Sequence, residues 1–248
     1  MKDYKDKNIW IIGASSGIGN ALAIELDRRG ASLVLSARNE KNLEALNKKL
    51  SSRHIVLPCD VTNLDTFSQA ANAVSAAVGR IDSALFLAGI YQPMKLNALD
   101  MAFVQDIVKT NFTGALNFLH STLPLFLKQG HGQIAICASV AGYRGLPNGQ
   151  PYSATKAALI NLTESLRAEM APQGLDIRLI TPGFVKTSLT AKNNFPMPMI
   201  IEAQTAAKAL ADGLLTSQFE IHFPRRFTWM MKILRLLPSS LYFRIIPK

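Results

Sequence analysis

Short apolar runs alternate with longer amphipathic ones along the whole chain. Residues 8–13 (NIWIIG) predict a buried strand, and residues 18–29 predict a helix closed by Gly30. A second strand follows at 32–36, then a helix that Asn39 can cap and that runs to about Leu50. The pattern continues with a strand at 54–58, a helix at 64–78, a strand at 83–87 and one long helical stretch over 102–128. Strands at 133–138, 176–180 and 219–223 and helices at 151–171 and 203–215 complete it. The strands are apolar throughout rather than alternating, as in a sheet covered on both faces. Strand–helix alternation implies parallel pairing with right-handed crossovers, hence one doubly wound α/β domain of about seven strands. Ligands in such domains bind beyond the carboxyl ends of the strands.

Length and composition narrow this further. At 248 residues with 48% hydrophobic content, the chain can bury a real core, and disorder is excluded. Cys59 and Cys137 are too few for a disulfide scaffold, which points to a reducing, cytoplasmic compartment. The four histidines show no metal-ligand spacing, so no metal site is expected. The net charge of +10 is concentrated at the C-terminal end: residues 219–248 carry six basic residues against Glu220 alone. No aromatic-interleaved basic motif accompanies that charge, so nucleic acid is not an expected partner. No apolar run reaches the roughly 18–20 residues of a membrane span, and the charged opening of the chain is not a secretory signal.

Several candidate groups fall just after predicted strands. Gly13-Ala14-Ser15-Ser16-Gly17-Ile18-Gly19 joins the first strand to the first helix. Glycines there let backbone approach a pyrophosphate, which the free amides of a helix N-terminus can bind. After the second strand stands Arg38 where an NAD-binding protein needs a carboxylate, and its cation suits the 2′-phosphate of NADP(H). Asp60 is either an adenine contact or a turn residue paired with Thr62. Ala88 and Gly89 follow the fourth strand.

Tyr152 and Lys156, four residues apart on a helix, share one face, and Ser139 ends the strand before them. A phenol is a poor acid or base near neutral pH, and a neighbouring ammonium lowers its pKa. The same spacing recurs at Tyr91 and Lys95, but Pro93 interrupts it, so no shared helix face is expected there.

Together Gly13, Gly17, Gly19, Asp60, Ala88-Gly89, Asn111, Ser139, Tyr152, Lys156 and Pro182-Gly183 stand in the order and spacing of the short-chain dehydrogenase/reductases. The chain resembles that family's compact single-domain branch over residues 8–222. The resemblance implies a Rossmann-type domain and NADP(H)-dependent interconversion of a carbonyl and a secondary alcohol. It implies Tyr152 as general acid/base, Lys156 as the group that lowers its pKa and bonds the nicotinamide ribose, Ser139 as the group orienting the substrate oxygen, and Asn111 as holder of a relay water. Cofactor contacts are implied for Gly13, Ser15, Ser16, Gly17, Ile18, Gly19, Arg38, Asp60, Val61, Ala88, Gly89, Tyr152, Lys156, Pro182, Gly183, Val185 and Thr187. Membership also implies a homodimer or homotetramer. One departure is Phe86-Leu87, where the family usually has two asparagines.

The loop at 184–200 carries Phe195, Met197 and Met199, which suit either an apolar pocket wall for a lipid-like small molecule or surface packing. Residues 225–248 form a basic apolar extension to the 1–224 domain. It reads as a helix that packs on the subunit, or as a cationic amphipathic helix lying peripherally on the inner face of a membrane. A catalytically idle dinucleotide-binding sensor or a membrane-docking protein is the alternative function.

Overall fold

The computed structural model of the chain describes residues 1–51 and 54–246; of the basic extension, Lys248 lies outside the described residues. Seven parallel strands form the main sheet: β1 (Asn8–Ile12), β2 (Ser32–Ser36), β3 (Ile55–Val56), β4 (Ser83–Phe86), β5 (Gly132–Cys137), β6 (Leu175–Pro182) and β9 (Glu220–Phe223). Their order is β3-β2-β1-β4-β5-β6-β9, and a separate two-stranded pair joins β7 (Val185–Lys186) to β8 (Ile201–Glu202). The chain reverses its direction of winding between β1 and β4, which opens the ligand crevice of this architecture at their carboxyl ends.

Alternate residues of β1 explain the unbroken apolar strands. Trp10 and Ile12 enter one core with Phe67 of α3 (Leu64–Val78), Phe118 of α5 (Gly114–Gln129) and Leu159 of α6 (Tyr152–Met170). Ile9 and Ile11 enter the opposite core with Leu22 of α1 (Gly17–Arg28), Leu43 of α2 (Glu40–Asn47) and Leu210 of α7 (Ala203–Leu214). Side chains on successive strand positions point to opposite faces, so a strand between two helical layers is apolar on both of its faces. Asn39 caps α2 as its sequence position suggests, with its Oδ1 accepting from Asn42 N at 3.0 Å.

Two elements differ from the pattern. The predicted strand at 54–58 has regular pairing only at Ile55–Val56; Leu57 and Cys59 continue the ladder with single bonds to Leu35 and Ala37, and Pro58 lies between them with its nitrogen turned away from β2, where the missing N–H costs no ladder bond. The helical stretch at 102–128 is two helices, α4 (Met101–Val108) and α5, separated by a wide π-helical turn at Lys109–Thr113. That turn carries Asn111, and the bonds its side chain makes to Ile90 give the interruption its cause.

The extension is ordered against the domain. Helix α8 (Arg225–Leu236) is followed by α9 (Ser239–Ile245), with Pro238 between them. Phe227 and Met231 belong to the same core as Trp10.

Candidate active site

The glycine turn folds as a close-approach device. Gly13 has φ +99°, and a Cβ there would lie 2.7 Å from Ala88 N, so the turns after β1 and β4 touch backbone to backbone. A Cβ on Gly19 would sit 2.2 Å from Gly13 O, which lets α1 start tight against the turn. Ser16 occupies the N-cap in extended conformation without a side-chain cap bond, and the first turn contains no carboxylate. The positive end of the helix dipole is therefore not neutralised locally. Thr187 comes down to this turn from the loop after β6, 3.3 Å from where a Gly17 Cβ would be. Ile18 packs on the α1-side core. Val61 is buried, with its carbonyl accepting from Asn117 at 2.8 Å, and Val185 is buried in β7.

Asp60 serves its own turn: its Oδ1 accepts from Thr62 N at 2.9 Å and from Thr62 Oγ1 at 2.8 Å. Arg38 is exposed, on the wall of an open cleft of about 280 Å³ that Thr62, Ile90, Lys109, Thr110 and Lys192 also line. Phe86 and Leu87, where asparagines were expected, fill the cores on opposite faces of the sheet, with Phe86 5.5 Å from Phe118.

Beyond the glycine turn the reactive groups converge. Ser139 caps a short 3-10 turn, accepting from Ala141 N at 3.1 Å while its hydroxyl donates to Pro182 O at 3.4 Å. The Ser139 side chain is close enough to the Tyr152 phenol to favour its ionised form. Lys156 is 4% exposed and donates to Cys137 O at 2.8 Å, with its Nζ 5.5 Å from the Tyr152 ring centre. Asn111 accepts from Ile90 N at 2.8 Å and donates to Ile90 O at 3.0 Å and Thr155 Oγ1 at 3.3 Å. A Cβ on Gly89 would lie 3.3 Å from Asn111 Oδ1 and 3.5 Å from Lys156 Nζ, so this glycine sits at the floor of the site against both polar groups.

The electrostatics correct one expectation. Burial raises the Tyr152 pKa above the ordinary phenol value, against the opposing effect of Ser139, and burial lowers that of Lys156. The Lys156 amine lies on the Cys137 carbonyl, and what shifts the phenol is its burial, together with Cys137, Ser139 and Tyr91. Burial thus works against the charged forms of both Tyr152 and Lys156. Burial also disfavours the thiolate of both cysteines, pushing the Cys59 thiol up to about 11 and raising Cys137 as well.

Sequence reasoning missed the wall opposite Tyr152. Residues 91–95 are not helical, as Pro93 suggested, but the Tyr91 ring meets Tyr152 edge-on at 4.9 Å. The Tyr91 hydroxyl donates to Asn193 Oδ1 at 2.9 Å, and Lys192 donates to Tyr91 O at 3.1 Å. These bonds tie the loop at 184–200 to the segment after β4. On the other side, Phe184 packs on Phe195 at 6.1 Å and on Phe227 of α8 at 5.1 Å.

Residues 7–197 match the family model described as short chain dehydrogenase. An "Uncharacterized oxidoreductase" of Myxococcus xanthus is 33% identical over 98% of this chain and 97% of its own, a match that reaches into the C-terminal extension. An "Uncharacterized oxidoreductase" of Staphylococcus epidermidis is 36% identical over 86% of this chain and 93% of its own. The crystal structure of a short chain dehydrogenase from Burkholderia cenocepacia in complex with NADP superimposes with a TM-score of 0.85 at 24% identity, covering 98% and 99% of the two chains. The chain belongs to the short-chain dehydrogenase/reductase family. It is an NAD(P)-dependent oxidoreductase of that family.

Proposed function

We propose that the protein is an NADP(H)-dependent reductase that interconverts an apolar carbonyl compound and its secondary alcohol. The observation that carries this reading is the convergence of Ser139, Tyr152 and Lys156 directly behind the glycine turn. A protein that only sensed a dinucleotide would have no use for the phenol.

A dinucleotide bound in the crevice would supply or accept the hydride. The amides of Ser15, Ser16, Gly17 and Ile18 and the backbone of Gly13, Gly19, Ala88 and Gly89 would hold its phosphates and ribose, with Val61 and Asp60 on the adenine side. Pro182, Gly183, Val185 and Thr187 would hold its nicotinamide end. Ser139 orients the substrate oxygen, and Tyr152 gives that oxygen a proton in reduction and takes it back in oxidation. Burial keeps the phenol protonated, the form that reduction requires, but also makes it a weaker acid, so Lys156 has to come close for its charge to bring the pKa back toward neutral pH. Lys156 turns from the Cys137 carbonyl toward the cofactor ribose and Tyr152, and the remaining lone pair of Asn111 Oδ1 holds a water that resupplies the proton. Tyr91, Phe184 and Phe195 supply apolar walls for the substrate.

Preference for the phosphorylated cofactor rests on Arg38, Lys109 and Lys192, three cations against the single carboxylate of Asp106 around one cleft. A hydrogen bond to a charged partner contributes about 1.5–3 kcal/mol, so Arg38→Asp is expected to weaken NADPH binding about 10- to 100-fold. A fluorescence titration with NADPH and NADH measures this; equal losses for the two nucleotides would remove the case for NADP(H).

A further inference from the structure

The extension has an inward face that is fully used and an outward face that stays largely exposed, although there Trp229 meets His222 edge-on at 5.8 Å and Lys232 at 5.1 Å, and Phe243 meets Tyr242 at 5.3 Å. Inward, Phe227 lies against Gly183, where a Cβ would come 2.7 Å from the ring, and Lys232 pairs with Glu220 at 2.6 Å. Arg144 gathers the carbonyls at the end of α8, Leu234 O at 3.3 Å and Arg235 O at 3.0 Å, and its guanidinium lies 4.0 Å from the centre of the Tyr242 ring. These bonds fix the orientation of both helices.

Outward, Trp229, Ile233 and Leu236 recur at helical spacing and are 57%, 62% and 82% exposed. Met230 stands beside them, and α9 adds Leu241, Phe243 and Ile245. Seven of the eighteen exposed large apolar side chains among the described residues thus fall between 229 and 245, which makes a patch rather than a scatter. Arg225, Arg226 and Arg244 are exposed with them, and residues 221–246 contain no carboxylate.

We propose that this face docks the enzyme on an anionic phospholipid surface. Charge selects the occupant: a second copy would set one arginine rim against another, with no acid in the segment to pair them. Anionic headgroups complement the rim while the apolar side chains enter the acyl boundary. The helices lie on the surface rather than crossing it, since the 12 residues of α8 span only about 18 Å. Among the described residues no helix is long and apolar enough to cross a membrane. Phe227, Phe184 and Phe195 link the docked helix to the loop beside Tyr152, so the surface that meets lipid adjoins the substrate side of the site.

The test reads binding, not turnover, and so stands apart from the reductase assignment. The full chain is mixed with vesicles of phosphatidylcholine alone or with phosphatidylglycerol, and sedimentation and tryptophan emission are followed. Of the two tryptophans, Trp10 is fully buried, so a blue shift reports Trp229. Binding is expected only to the anionic vesicles, weakening as salt rises. Arg225→Gln with Arg226→Gln is expected to lower the partition coefficient about 30-fold. Ile233→Glu with Leu236→Glu should abolish binding and the blue shift, and these exposed positions leave the inward contacts intact. Failure to bind anionic vesicles, equal binding to neutral ones, or binding indifferent to the glutamates would overturn the proposal. So would a vesicle-free dimer that the glutamates dissociate, which would give the face to a second copy.

Discussion

Truncating Phe227 to alanine asks whether the extension is part of the folded unit. The ring is 4% exposed, lies 5.1 Å from Phe184 and fills the space that a side chain on Gly183 would need. An aromatic side chain buries about 150–250 Å², which at about 25 cal/mol per Å² corresponds to about 4–6 kcal/mol as an upper figure. Large-to-small truncations of buried phenylalanine cost about 3–5 kcal/mol, so the two routes agree. For a domain of this size each kcal/mol moves the melting temperature by about 2–4 °C, which places Phe227→Ala about 6–20 °C below the wild type. Thermal unfolding followed by circular dichroism at pH 7 measures it. Ile233→Ala, on the same helix but 62% exposed, is the control and should shift the melt by less than about 2 °C. If Phe227→Ala melted with the control, α8 would be an appendage and the packing argument would fail.

Two further outcomes follow from the same contacts. Burial alone would raise the Glu220 pKa, but bonds from Lys232, Thr181 and Tyr143 outweigh it and hold the carboxyl below its usual range. Its contribution is present above the ordinary carboxylate pKa of about 4.3 and is lost as pH falls through the depressed native value. Glu220→Gln should therefore lower the melting temperature at pH 7 and flatten its decline toward acid pH, and a parallel decline in both proteins would contradict the clamp. In the glycine turn, Gly19→Ala places a Cβ 2.2 Å from Gly13 O and should weaken both nucleotides at least about tenfold by fluorescence titration, whereas Gly145→Ala, with open space around it, should not.

The sheet was legible because its chemistry is local. A strand between two helical layers is apolar at most of its positions, with buried exceptions such as Gln133 and Arg178 that find bonds at the sheet ends, and each helix repeats its buried face every turn, so the pattern along the chain carried the architecture. The candidate site was legible for the same reason, since Gly13, Arg38, Ser139 and Tyr152 each sit at a strand end or on the first turn of a helix. What stayed hidden depends on contacts between distant residues. The break at Lys109–Thr113 follows from Asn111 bonding the backbone of Ile90, and no property of the helical stretch itself announces it. Tyr91 was set aside on its local pattern, and only the fold lays it on Tyr152. The lowering of Tyr152 by Lys156 assumed that proximity on a helix decides the matter. Burial decides it instead. In the extension, amphipathic patterning revealed two faces, but which one packs is set by Gly183, Glu220 and Arg144, far away in sequence.

The central claim is that Tyr152 carries the proton in an NADPH-dependent reduction. The direct measurement compares wild type with Tyr152→Phe, recording NADPH oxidation across a panel of apolar carbonyl compounds and NADPH affinity by fluorescence on the same samples. The variant keeps the ring against Tyr91 and loses only the hydroxyl, so it should bind NADPH within about twofold of the wild type while kcat/KM falls about 10²- to 10⁴-fold. Turnover retained by the variant would contradict the account.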